Sequence, residues 1–186
     1  MNRRDLLLAS AASLLAGCST STGGTADPYA KRQEIDAAVD NSLSELFGWS
    51  PGALDLVGKA RGVLVFPKVV SAGFVVGASY GQGALRKDGK TTAYYSIGSA
   101  SGGLLAGAQS KAMYLLFMTP DSMRKFESSA GWTAGVDASV VVAELGADAQ
   151  VTTKTAQAPI IGFVRTRAGF MANLSIDGTK FNRLDL

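Results

Sequence analysis

Apolar residues recur at helical spacing in the first part of the chain that follows residue 30. Over Glu34–Phe47 the apolar positions are Ile35, Val39, Leu43, Leu46 and Phe47. This spacing predicts a helix with one buried stripe. Its other face is acidic, so we expect the helix to dock on its own domain rather than on an anionic membrane. Ser50 and Pro51 predict the start of a second helix, which runs to about Lys59.

Beyond Lys59 the pattern changes to short apolar runs rich in Val, Phe, Tyr and Gly, which are typical of strands. The predicted strands are Gly62–Val70, Gly73–Leu85, Ala93–Gly98, Lys111–Met118, Gly135–Leu145, Val151–Thr155, Ile160–Thr166 and Phe170–Ile176. Asp88-Gly89 and Asp177-Gly178 are tight-turn signals, and a short capped helix is expected between Thr119 and Ala130. The sequence therefore predicts an α+β fold. N-terminal helices pack on a strongly curved, mostly antiparallel, barrel-like β-sheet with one inserted helix.

The N-terminus has the pattern of a bacterial lipoprotein signal. A basic start is followed by an apolar run and then by Leu15-Ala16-Gly17-Cys18, which resembles a lipobox. We predict that residues 1–17 are a cleaved signal peptide, that Cys18 is the lipid attachment site, and that 18–30 form a flexible tether. Residues 31–186 are then one domain. Ser19 favours the outer membrane, facing the periplasm, and Arg3-Arg4 leaves both the general and the twin-arginine export routes open.

Composition excludes several classes of function. Cleavage after residue 17 leaves 16 basic and 14 acidic side chains, and this net charge of +2 is low for a nucleic-acid-binding protein. The chain has no histidine and only one cysteine, so histidine-dependent triads and HExxH zinc sites are excluded. Carboxylate pairs, a Ser-Lys pair and an oxygen-ligated metal stay open as enzymatic routes. None has positive support, so we predict a non-enzymatic protein with no cofactor and no metal.

Basic residues cluster at two places in the predicted sheet. Arg86, Lys87 and Lys90 surround the Asp88-Gly89 turn, and Lys59, Arg61 and Lys68 flank the first strand. Such clusters could contact lipid headgroups or simply be solvated. The segment from Gly83 to Thr91 has five residues between its glycines where a phosphate-binding loop needs four, so a hairpin turn is the better interpretation.

Two further pairs of residues have open interpretations. Arg165 and Arg167 alternate along a strand and so share one face, where they could bind a phosphate or carboxylate or could face solvent. Trp49 and Trp132 stand next to glycines, where an aromatic side chain can lie at a membrane interface or stack on a sugar. Packing at the edge of the core is the commoner role, and we expect it for both.

From about Leu56 onward the chain resembles the SYLF domain, a lipid-binding and actin-regulator-associated domain of bacteria and eukaryotes. The matching motifs are Lys59–Lys68, Ala72-Gly73-Phe74, Gly77, Gly81, Gly83, Asp88-Gly89-Lys90, Tyr94-Tyr95-Ser96-Ile97, Gly107, Ser129–Trp132, Pro159–Phe163 and Gly178–Phe181. The resemblance implies a non-enzymatic membrane-binding module. Eukaryotic members bind phosphoinositides with the help of a basic N-terminal region, and yeast members bind actin or its assembly factors. Here the corresponding helix is acidic.

The resemblance and the export signal together predict an envelope lipoprotein. An exported bacterial protein meets neither actin nor phosphoinositides, so anionic phospholipid is the expected ligand. The predicted headgroup contacts are Lys59, Arg61, Lys68, Arg86, Lys87 and Lys90. The alternative is a structural or interaction protein that docks a protein or peptidoglycan partner in the cell envelope.

Overall fold

The structure, a computed structural model, describes residues 27–73, 76–102, 107–143, 157–168 and 176–186. The predicted signal peptide, Cys18 and the predicted strand Val151–Thr155 lie outside these residues, as does nearly all of the predicted strand Phe170–Ile176. The helices are α1 Pro28–Trp49, α2 Pro51–Lys59 and α3 Pro120–Glu127. The strands are β1 Gly62–Gly73, β2 Val76–Lys87, β3 Lys90–Gly102, β4 Gly107–Phe117, β5 Trp132–Thr133, β6 Val141–Ala143, β7 Ile160–Ala168 and β8 Lys180–Leu184.

The strands form one curled, half-barrel sheet. Their order is β5-β8-β3-β2-β1-β4-β7-β6, and neighbours are antiparallel except for β6 and β7, which are parallel. This confirms the predicted α+β fold with N-terminal helices, one inserted helix and a mostly antiparallel sheet. Among the described helices, none combines the length and apolar character needed to cross a bilayer.

Each face of the sheet has its own apolar core. On one face, here called the outer face, Val65, Ala84 and Tyr114 pack under α1 and α2. On the opposite, inner face, Phe66 and Phe117 pack with α3 and with the segment after it. The alternation of side chains along β1 supplies both cores, because consecutive residues of a strand point to opposite faces. The structure is therefore a sheet between two unequal layers.

A bulge in β1 interrupts this alternation at Phe66-Pro67. The register with β2 shifts between Val65 and Lys68, which accommodates a proline that has no N–H to donate within a central strand. At the bulge, the backbone of β1 comes so close to β2 that only glycine fits at position 83. A Cβ atom at Gly83 would lie 2.0 Å from the Val65 carbonyl oxygen. Beyond the bulge, Lys68 and Val70 point to the outer face.

The start of α1 differs from the prediction. α1 begins at Pro28 rather than Glu34, so residues 28–30 of the predicted tether are helical. The Asp27 side chain accepts a hydrogen bond from the Tyr29 N–H, and Pro28 occupies the first turn, where its missing N–H costs nothing. At α2, Pro51 takes the predicted first position, but the Ser50 side chain makes no capping hydrogen bond.

Two strand predictions were wrong in part. The predicted strand Gly135–Leu145 begins as a turn, because Gly135 has a φ of 82° and Asp137 accepts from the Thr133 N–H at 2.6 Å. Only Val141–Ala143 of that stretch is described as a strand. β8 was missed, since only Phe181 of its five residues is buried and the strand depends on pairing with β3.

The two tryptophans have different surroundings. Trp132 is buried among Phe117, Phe126 and Phe181, as expected for a core residue. Trp49 is 36% exposed, and the Arg165 guanidinium lies 5.2 Å from the centre of its ring. The core expectation is therefore confirmed for Trp132 and wrong for Trp49, which stacks against a cation at the end of α1.

Candidate functional site

The six predicted headgroup contacts do not form one cluster. Five of them lie at the end of the sheet where β1 begins and β2 ends, which we call the proximal end: Lys59, Arg61, Arg86, Lys87 and Lys90. Lys68 lies beyond the β1 bulge, six residues from Gly62, which corresponds to roughly 20 Å along a strand. It lies in the middle of β1, just beyond the bulge, in the half of the strand that leads to the distal end, where β1 ends and β2 begins.

At the proximal end, α1 occupies the side chain of Arg86. The side chain is 13% exposed. Its guanidinium donates to the Asp40 carboxylate at 2.7 Å and to the Asp36 carbonyl at 3.3 Å, and it lies 3.6 Å from the Asp36 carboxylate. Its Nε is buried and has no hydrogen-bond partner. A phosphate could reach this guanidinium only by displacing the helix carboxylates, so the predicted role of Arg86 as a headgroup contact stays a prediction.

The neighbouring lysines are also paired. The Lys87 ammonium lies 2.8 Å from the Glu127 carboxylate of α3, and the Lys59 ammonium lies 2.6 Å from Asp55 one helical turn earlier. Arg61 and Lys90 are exposed and form no ion pair with the residues described by the structure. The proximal end therefore mixes cations with nearby carboxylates.

α1 docks on the sheet through its apolar stripe, as predicted, and the acidic Asp36 makes a polar contact with the sheet beside that stripe. The Asp36 carboxylate accepts hydrogen bonds from the Thr91 hydroxyl at 2.6 Å and from the Tyr94 hydroxyl at 2.9 Å. Burial, and then this hydrogen bond, raise the pKa of Tyr94. One helix carboxylate thus ties α1 to β3.

The same-face arginines of β7 bind a carboxylate supplied by the chain itself. Arg165 and Arg167 each approach the Glu45 carboxylate, at 2.8 Å and 2.6 Å. The shared face of the two arginines is confirmed, and the carboxylate that they contact belongs to the last part of α1 rather than to a ligand. The sequence offers no local sign of this partner, because Glu45 precedes Arg165 by 120 residues.

The distal end has a different surface. We define the distal outer face as Lys68, Val70, Ala72, Ala78, Tyr80 and Lys180, which share the outer side of β1, β2 and β8 beyond α1. Val70 is 43% exposed and Tyr80 is 57% exposed, and they are directly opposed across β1 and β2. Tyr80, Gly98 and Lys180 continue the same cross-strand row. A signal for this surface exists in the sequence, since no acidic residue occurs between Asp55 and Asp88 or between Asp88 and Asp121.

The inner face carries a partly buried cation at the same level of the sheet. Lys111 lies opposite Val69 and Thr166. Burial lowers the pKa of its ammonium group. No cluster of three or more metal-ligating side chains occurs in the ranges that the structure covers.

Comparison with known proteins gives one match. Residues 98–185, from within β3 to the end of β8, match the model of the Ysc84 family, whose description is "Las17-binding protein actin regulator". The match confirms the resemblance to the SYLF family over this part of the chain. A search of curated proteins found no match.

Proposed function

We propose, from the match of residues 98–185 to the Ysc84 (SYLF) family model, that the protein is an envelope lipoprotein that presents a lipid-binding domain. The domain binds the headgroups of anionic phospholipid and is not an enzyme. The family match supports this proposal, because the family is associated with lipid binding and with actin regulators. The predicted export signal at residues 1–17 also supports it, because an exported protein would meet phospholipid rather than actin.

Six basic side chains are the candidates for headgroup contacts: Lys59, Arg61, Lys68, Arg86, Lys87 and Lys90. Arg61, Lys68 and Lys90 are exposed and form no ion pair with residues in the described ranges, so a phosphate can approach them directly. The other three hold carboxylates of α1, α2 or α3, and lipid phosphate would have to compete with those carboxylates. Binding through such contacts weakens as salt screens the charges.

Co-sedimentation with vesicles tests the lipid-binding proposal. Residues 19–186 contain all described helices and strands and both apolar cores, so this shortened chain keeps the domain without the lipid anchor. We expect it to sediment with phosphatidylglycerol vesicles, to be released by salt, and not to sediment with phosphatidylcholine vesicles. Absence of binding to phosphatidylglycerol at low salt would overturn the proposal.

A separate experiment tests the anchor. The full chain expressed in a bacterial host should incorporate labelled palmitate and fractionate with the outer membrane, and the Cys18→Ser variant should lose the label. Incorporation that persists in Cys18→Ser would place the lipid elsewhere, and no incorporation in the wild type would contradict the lipoprotein assignment.

A second candidate function is docking of an envelope protein or of peptidoglycan. The family description favours it, because it names a protein, Las17, as a binding partner of family members. Cross-linking of the lipidated protein in intact cells should then recover one defined partner. Purified peptidoglycan that sediments the domain in a salt-resistant manner would support the peptidoglycan form of this candidate.

A further inference from the structure

We propose that the distal outer face is the surface of this domain that lies against an anionic membrane. Val70 and Tyr80 enter the headgroup region, and Lys68 and Lys180 contact lipid phosphates. This inference rests on the proposed lipid-binding function and identifies the surface that carries it out. It also places the contact away from the basic turn at the proximal end.

The apolar part of the surface is one exposed cross-strand pair. Directly opposed residues of antiparallel strands have Cβ atoms about 4.5–5.5 Å apart, so Val70 and Tyr80 form a single protrusion. α1 crosses the sheet over Val65 and Ala84 and leaves this pair uncovered. An exposed valine and tyrosine side by side match an interface that is apolar on one side and wet on the other.

The surroundings of this pair allow close approach to a bilayer. The next row toward the end of the strands contains the exposed alanines Ala72 and Ala78, which are opposed to each other and to Ala108 and Ala100. Methyl side chains leave the sheet surface low around the protrusion. No bulky side chain of this row stands between Val70, Tyr80 and a flat partner.

The charge of the surface suits anionic lipid. Lys68 lies two residues from Val70 on the same face, and Lys180 lies two strands from Tyr80, which corresponds to about 10 Å. Neither lysine forms an ion pair with any residue that the structure describes. The nearest rows of β1 to β4 contain no acidic residue. Both ammonium groups can therefore reach lipid phosphates while their stems lie along the surface.

The proximal end is less suited to the same partner. Its cations stand beside Asp36, Asp40, Asp55 and Glu127, and three of them form ion pairs with these carboxylates. An approaching anionic membrane would meet these carboxylates as well as the cations. The distal outer face carries cations alone and adds apolar contact.

Matched variants of residues 19–186 test this surface by co-sedimentation with phosphatidylglycerol vesicles. Lys68→Gln and Lys180→Gln should each weaken binding about fivefold. The control Arg183→Gln, at an exposed position of β8 that faces the inner side and forms no ion pair with the described residues, should not. The double variant Val70→Thr/Tyr80→Thr should weaken binding about tenfold. Its control, Tyr29→Gln, removes an equally exposed aromatic residue from α1 and should bind as the wild type does.

The outcomes separate this inference from the proposed function. Wild-type protein that fails to bind the vesicles overturns both. Wild-type binding that is retained in Lys68→Gln and Lys180→Gln, or weakened equally in Arg183→Gln, overturns only the surface assignment. Self-association that disappears in Val70→Thr/Tyr80→Thr, with vesicle binding unchanged, identifies a second copy of the chain as the occupant and also overturns it. Melting temperatures equal to that of the wild type confirm that the variants are folded.

Discussion

At the scale of single residues, a buried hydroxyl pair joins α1 to the sheet. The Ser42 and Tyr114 hydroxyls lie 2.7 Å apart, and the Tyr114 hydroxyl also donates to the Ser42 carbonyl at 3.0 Å. Both side chains are fully buried, so water does not replace these partners, and the Ser42 hydroxyl relies on the Tyr114 hydroxyl. This pair fixes the position of α1 along β4 by a directional contact that apolar packing alone does not supply.

Removal of one hydroxyl should therefore destabilise the domain. We expect Tyr114→Phe to lower the free energy of unfolding by about 1–3 kcal/mol, because Ser42 is left buried without its partner. The exposed control Tyr80→Phe should change it by less than about 0.5 kcal/mol. Urea unfolding measures both, and equal effects of the two substitutions would contradict the role of the pair.

Lys111 gives a prediction about pH. Burial lowers its folded-state pKa below the ordinary value of 10.5, so the folded chain releases this proton at lower pH than the unfolded chain does. Between the folded-state pKa of Lys111 and about pH 10.5, the unfolded chain binds more protons than the folded chain. The contribution of Lys111 to the free energy of unfolding therefore rises with pH over this range. At neutral pH the charged ammonium is a cost that Lys111→Met removes. The variant should therefore be more stable than the wild type at neutral pH, and its advantage should shrink as the pH approaches 10.5.

Comparison of Lys111→Met with the wild type at each pH removes the effect of other groups that titrate in this range. Burial raises the pKa values of Tyr94, Tyr95 and Tyr114, so unfolding is favoured above pH 10 in both proteins and this effect cancels in the difference. A constant advantage of Lys111→Met from pH 7 to 10.5 would exclude a lowered pKa at Lys111.

Residue partners were the least predictable part of the site. The sequence shows that Arg165 and Arg167 share a face and that α1 is acidic, but not that Glu45 meets both arginines. Arg86 likewise finds Asp40 across 46 residues of chain. Such pairs depend on how α1 crosses the sheet, which is a property of the folded molecule and has no local signal.

At the scale of elements, periodicity predicted most of the sheet because the buried strands are long and apolar. β1, β2, β4 and β7 were all predicted, although with different ends. The failures occurred where local sequence was ambiguous: the Gly135 turn lies in an apolar stretch, and β8 alternates without enough apolar residues to be recognised. In both cases contacts with other parts of the fold, rather than the local sequence, determine the structure.

The β1 bulge and Gly83 form one structural unit, and this can be tested. Gly83→Ala should destabilise the domain by at least about 2 kcal/mol, because the new Cβ would meet the Val65 carbonyl at 2.0 Å and the strands would have to separate. Gly98→Ala, in neighbouring β3, has open space and should cost less than about 1 kcal/mol. Thermal unfolding of both variants measures the contrast. Equal stability of the two variants would contradict the close contact between Gly83 and the Val65 carbonyl.

At the scale of the whole molecule, charge divides the sheet into two ends. Carboxylates of α1, α2 and α3 accompany the cations of the proximal end, while Lys68 and Lys180 of the distal outer face form no ion pair with the residues that the structure describes. The sequence predicted six basic residues as the site, and three of them surround the Asp88-Gly89 turn. The structure shows that folding places carboxylates beside that turn and leaves the distal lysines unpaired. Membrane contact through the proximal end and membrane contact through the distal outer face would therefore orient the domain in opposite ways.

Site-specific labelling measures that orientation most directly. Cys18 is the only cysteine of the chain, so residues 19–186 accept a single introduced cysteine. A polarity-sensitive dye at Ala72→Cys, on the distal outer face, should shift to the blue when phosphatidylglycerol vesicles are added, while the same dye at Leu54→Cys on α2 should not. A blue shift at position 54 alone, or no shift at either position, would contradict the account of a domain that binds anionic membranes through its distal outer face.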